Sequence, residues 1–166
     1  MKKASYIRTG LRITTQAAIA QTPADVVGKY SDISGVMKQS VNKEMLPEDA
    51  FAQIQQIAVN GHVDSLTVMH LANCDTAVKR EFLKDISSLE ESDSFENIAF
   101  ETPLPEGATM KLMKKTESEL VRGVYMFMYM APPESAATPE NWEVAAIIIF
   151  HGEMEDVNID AINNGM

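Results

Sequence analysis

Val124-Tyr125-Met126-Phe127-Met128-Tyr129-Met130, followed later by Val144-Ala145-Ala146-Ile147-Ile148-Ile149-Phe150-His151, decides the fold. Successive side chains of a strand point to opposite faces. The first segment therefore presents Val124, Met126, Met128 and Met130 on one side and Tyr125, Phe127 and Tyr129 on the other. The second presents Val144, Ala146, Ile148 and Phe150 against Ala145, Ile147, Ile149 and His151. Both are rich in aromatic and β-branched residues, as strands are. A strand apolar on both faces must be covered on both faces. The two segments are expected to lie side by side in the interior. Helices cover one side, and the first helix, a partner subunit or a ligand covers the other.

Working outward, Phe95 to Phe100, Thr109 to Lys115 and Leu120 to Met130 also have strand character. Leu104-Pro105-Glu106-Gly107 and Thr116 to Ser118 are turn-like. Ala131 to Asn141 holds three prolines and several small residues, an exposed connection. Toward the amino terminus the period changes. Val26, Val27, Tyr30 and Ile33 recur at helical spacing within Ala24 to Ser34. Leu46-Pro47-Glu48-Asp49 starts a helix, because proline suits the first helical position and acids suit the first turn. Phe51, Ile54, Ile57 and Ala58 mark its face, and Asn60-Gly61 stops it. Val63 to Leu71 reads as a strand. Asp75 caps a helix with the stripe Val78, Phe82, Ile86 and Leu89. Val36 to Asn42 fits either period. Met154, Val157 and Ala161 are expected on one side of a short last helix. The order predicts an α+β fold: a two-layer sandwich, its mixed, mostly antiparallel sheet carrying helices on one face.

The chain has 166 residues, 45% of them apolar and 23% charged, the composition of a single globular domain. Cys74 is its one cysteine, which excludes an intrachain disulfide and any multi-cysteine metal site. The net charge of −10 argues against nucleic-acid or anionic-membrane partners. No apolar run approaches the ~20 residues of a transmembrane helix. The charge is uneven. Residues 1–21 carry Lys2, Lys3, Arg8 and Arg12 and no acid, while residues 22–166 carry 10 basic and 24 acidic groups, or −14. A basic start, a less polar middle and Ala18-Ile19-Ala20 before Gln21 have the order of an export signal, although Arg8 and Arg12 interrupt the middle. Residues 1–21 are thus expected to be an export signal or a disordered arm, and residues 22–166 a single domain. Export places the domain in the periplasm; without it the protein is cytoplasmic.

Several constellations carry conceivable chemistry. Met126, Met128 and Met130, with Met110 and Met113, offer thioethers to a soft metal such as copper(I), with His70 or His151 as an added ligand. Methionine also fills irregular core space, the more ordinary role. Whether these side chains are core or a binding face is left open by the sequence. His62, His70, Cys74 and Asp75 form the one mixed cluster. Cys74, ahead of a helix, is a candidate for a lowered pKa, but no orienting third residue accompanies it. Ser40-Val41-Asn42-Lys43 matches the Ser-x-x-Lys acyl-enzyme spacing without its partner motifs, since Glu117 follows Lys115-Thr116 where glycine is required. Glu90, Glu91, Asp93 and Glu96, and separately Glu153, Glu155, Asp156 and Asp160, are acidic runs of the kind that form solvated faces. The reading assigns no catalytic residue, no metal ligand and no cofactor.

Gly35-Val36 to Lys43-Glu44-Met45-Leu46, the Lys79 to Lys84 helix, and the ending Ile149-Phe150-His151-Gly152-Glu153-Met154-Glu155-Asp156-Val157 together resemble a Bacteroidetes family of unknown function. Its members are small exported or lipid-anchored proteins. The similarity spans about residues 25–162 in order and pattern. It implies that Val36 to Asn42 is a strand and that the chain is exported; it brings no activity. The functional expectation is a non-catalytic exported interaction or sensing module of a bacterial envelope, with a protein partner or self-association. A methionine-based copper carrier is the alternative, and a hydrolase using Cys74 or Ser40 with a histidine comes third.

Overall fold

The computed structural model describes residues 21–99, 103–104, 106–130 and 144–164. The expected leader, apart from Gln21, and the Ala131 to Asn141 connection lie outside them. Within them, β6 (Leu120–Met130) and β7 (Val144–Met154) pair antiparallel, with Val124 opposite Phe150 and Met130 opposite Val144. The alternation read from the sequence holds in both strands.

Four further strands complete the sheet. These are β1 (Met37–Asn42), β3 (His62–His70), β4 (Phe95–Asn97) and β5 (Ala108–Glu117). The spatial order is β1-β3-β7-β6-β5-β4, and every neighbouring pair is antiparallel. A separate two-stranded pair joins β2 (Ala58–Val59) to β8 (Asp156–Val157). The helices are α1 (Pro23–Ser31), α2 (Glu48–Gln55), α3 (Thr76–Ser87) and α4 (Ile159–Asn164). The α+β class is as expected. The strand over Val36 to Asn42, open on period alone, is β1.

Helices lie on both faces, so the expected single helical layer is joined by a second, partial one. On one face, Val26 and Tyr30 of α1 and Phe82 and Ile86 of α3 pack with Met69, Met113, Phe127, Ile147 and Ile149. On the other, Ile54 of α2, Ile57 and Ile162 of α4 pack with Leu112, Val124, Met126 and Phe150. Burial of a large aliphatic or aromatic side chain contributes about 1.5–3 kcal/mol relative to exposure. Both clusters are therefore needed to keep a doubly apolar strand pair dry.

Local details depart from the sequence reading. Met154 and Val157 are strand residues, in β7 and β8, and only Ala161 lies in the last helix. Asp75 occupies the position before α3, but its side chain makes no capping hydrogen bond; the true capping box is Thr22 with Asp25 at α1. Gly61 and Gly152 mark a close crossing. A Cβ at Gly152 would sit 2.1 Å from the His62 carbonyl oxygen, and one at Gly61 2.2 Å from that of Glu153. Neither position has room for a side chain.

The β5–β6 hairpin turns through Ser118 and Glu119, both with positive φ (54° and 66°). Two left-handed residues in a two-residue loop suit Asn-Gly, and Ser-Glu is strained there. The double substitution Ser118→Asn, Glu119→Gly is expected to raise the free energy of unfolding by about 1 kcal/mol, measured by urea denaturation. No gain would mean that the turn relaxes to another geometry in solution.

Candidate functional site

The methionine face comes first, because the sequence left its role open. Met110 of β5 lies directly opposite Met128 of β6, and Met126 opposite Ile148 of β7. All four belong to the cluster beneath α2 and α4. Met113 belongs to the opposite cluster, with Phe82 and Phe127. His151 shares that opposite parity, and His70 is exposed at the end of β3. The structure thus places Met110, Met126, Met128 and Met130 on one face and His151 on the other, while His70 shares the methionine face but stands two strands from Met128, with Ala146 between them. Among the described residues no group of three or more His, Cys, Asp or Glu side chains is placed to hold a metal ion.

Above these methionines a groove of about 260 Å³ opens between α2 and α4. Met126, Met128, Ile148 and Phe150 form its floor, with Ile54 and Gln53 on one wall and Ala161 and Ile162 on the other. Gln53 is the one polar side chain among the described residues that line it. Helix α2 stands over this floor through few attachments. Phe51 is buried, and the Gln55 side chain makes two hydrogen bonds to Val63. Its Nε2 donates to the carbonyl at 2.6 Å and its Oε1 accepts from the amide at 2.9 Å. Pro47 at the N-cap position gives α2 no side-chain cap.

The other sheet face carries a polar row beyond the reach of α1 and α3. Thr67, 8% exposed, shares a 3.0 Å hydrogen bond between its Oγ1 and His151 Nε2. Its Oγ1 also lies 3.4 Å from Ser40 Oγ. Ser40 therefore does meet a histidine, through Thr67 and across three strands. Next to His151 stands Gly123, where the Tyr125 ring leans over the missing side chain; a Cβ there would come within 3.2 Å of Tyr125 Cε1. Burial holds the His151 pKa below its ordinary value of 6.5, with Asp64 opposing the shift and Lys115 reinforcing it.

The remaining candidates stay apart. Cys74 is buried beside Gly35, and burial together with the Asp75 carboxylate pushes its thiol pKa up, where a lowered value was expected. Exposed His62 contacts Asp64 at 3.2 Å. Four of the acidic residues have local partners. Glu91 accepts from the Asn97 amide, Glu155 from Asn60, and Asp156 from Lys114 and the Val157 amide, while Glu153 pairs with Arg122. The Val157 amide bond is the main reason the Asp156 pKa is lowered.

One buried charge was not foreseen. Asp85 of α3, 6% exposed, accepts from Tyr30 Oη at 2.6 Å and from Lys29 Nζ at 2.8 Å, both on α1. Burial and the Asp85 carboxylate drive the Tyr30 pKa far upward, so its hydroxyl stays a donor. Removing one partner of a buried, charge-assisted bond costs several kcal/mol. This contact fastens the two helices of the first layer together.

His151 yields a pH dependence. Its folded pKa lies below the unfolded value, so the unfolded chain binds more protons and stability falls as pH drops through 6.5. Urea midpoints measured from pH 7.5 down to pH 5 should decline in the native chain and decline less in His151→Gln. Equal slopes would place the proton uptake elsewhere.

Compared with family models, curated proteins and solved structures, the chain finds no match, so the reading of its site rests on these residues.

Proposed function

We propose that this chain is a non-catalytic interaction or sensing module of a bacterial envelope, which takes an apolar side chain or small apolar group into the groove between α2 and α4. The observation that carries this reading is the groove floor of Met126, Met128, Ile148 and Phe150. Such a surface recognises hydrocarbon by excluding water, at about 25 cal/mol per Å² covered. Thioethers add adaptability, because an unbranched, polarisable side chain repacks around occupants of different shape. Seating one leucine-sized group there is worth about 1.5–3 kcal/mol, enough to anchor a partner but too little to define a tight complex alone. The export part of the proposal is supported by the acid-free, basic residues 1–21 ahead of a body carrying −14.

The test uses the neutral dye N-phenyl-1-naphthylamine, because a chain of net charge −10 repels anionic probes. Saturable fluorescence enhancement at one site per chain is expected. Met128→Glu and Ile54→Glu should each abolish it while leaving the circular dichroism spectrum native, and Met126→Leu with Met128→Leu should preserve it. Unsaturable enhancement, or binding indifferent to both glutamates, overturns the reading. Stoichiometric copper(I) binding lost in the double leucine variant would instead favour the metal-carrier alternative.

A further inference from the structure

Strand β1 closes one edge of the sheet. Its register runs to β3, and no strand pairs with its outer side among the described residues. The opposite edge is β4, a strand of three residues, short as protected edges are. β1 is six residues long, Met37-Lys38-Gln39-Ser40-Val41-Asn42, without proline, glycine or acid, and all but Val41 are exposed. Met37, 60% exposed, is the most exposed large apolar side chain among the described residues. An unpaired row of backbone donors and acceptors of this length is a template for another strand.

We propose that β1 pairs antiparallel with β1 of a second copy of the chain, about a two-fold axis through Gln39. Directly opposite residues in a sheet share a face, so a two-fold axis perpendicular to the sheet must set one residue against its own copy. Four centres are worth comparing. An axis at Lys38, the only charge on the strand, opposes two ammonium groups, which is destabilising. Axes at Ser40 or Val41 leave Met37 outside the pairing. An axis at Gln39 sets Met37 opposite Val41 twice and Lys38 opposite the neutral Ser40. Met37, Gln39 and Val41 lie on the groove face, since they pair with His70, Val68 and Leu66. The join therefore extends the apolar side of the sheet and hides Met37. The axis keeps both grooves on one face of the joined sheet. No groove-lining residue takes part, so this interface and the groove reading fail separately.

Sedimentation of the full chain over a range of concentrations is expected to show a monomer–dimer equilibrium. Met37→Lys with Gln39→Lys, both at exposed positions, should raise the dimer dissociation constant by about tenfold or more by opposing like charges. The register is read by cysteines in a Cys74→Ser background. Opposite Cα atoms stand about 4.5–5.5 Å apart, inside the ~4.4–6.8 Å that a disulfide spans. Gln39→Cys should therefore cross-link under mild oxidation. Ser40→Cys, diagonal to its copy at about 7–8 Å, should do so about tenfold more slowly. A monomer at every concentration, a dimer indifferent to the two lysines, or equal cross-linking of the two cysteine variants overturns the proposal.

Discussion

The pairing of β6 with β7 is the constraint on which the rest of the structure depends. Met126 against Ile148 on one side and Tyr125 against Ile149 on the other leave neither face of the sheet's centre fit for water. A half-buried antiparallel sheet needs one helical layer, and this one needs cover on both sides. The chain supplies it unequally. The first face receives α1 and α3, tied by Asp85 to Tyr30 and Lys29, with Tyr30 set edge-on against Phe82 at 5.2 Å. The second receives two short helices with a gap between them, and the gap is the groove. The candidate site is thus the part of the apolar sheet that the helices among the described residues do not finish covering.

The two faces also differ in chemistry away from the core. The polar row Ser40–Thr67–His151 crosses three strands where α1 and α3 no longer reach, and burial disfavours charging of the half-buried imidazole. On the groove side the corresponding positions Leu66, Phe150 and Val124 are apolar. The same strands therefore present hydrogen-bonding side chains on one surface and hydrocarbon on the other. This asymmetry favours recognition of an apolar group on the groove side rather than proton chemistry there.

What was legible in the sequence follows from how local each signal is. The alternation of Val124–Met130 and Val144–His151 and the stripe Val78, Phe82, Ile86 are properties of adjacent residues, and both are found. Met154 and Val157 fall in strands and not in the expected helix, because apolar residues three apart fit a helix as well as one strand, a bend at Glu155 and a second strand. The β5–β6 turn falls one residue later than expected, because Ser118 and Glu119 lack the glycine or asparagine that usually marks left-handed positions. The Asp85 contact was invisible for another reason. Asp85 lies off the apolar stripe of its helix and Tyr30 within the stripe of another, and only the packing of α1 on α3 joins them. The link from Ser40 to His151 likewise needs the register of three strands. The methionine face was readable as a face and α2 as a helix, but that α2 and α4 flank this face depends on tertiary packing, so the groove had no signature of its own.

Gln55 carries a consequence beyond its two bonds. With its amide spanning both backbone groups of Val63, a single side chain takes the place of a neighbouring strand at the irregularity between Val63 and Ser65. The roof over the methionines is therefore pinned at its far end by one polar fastener, while its near end rests on Pro47 without a cap. Water competes well for such a fastener, and poorly for the hydrocarbon below. Amide protons of the roof should accordingly exchange through small local openings, with those of the central strands surviving until the whole chain unfolds.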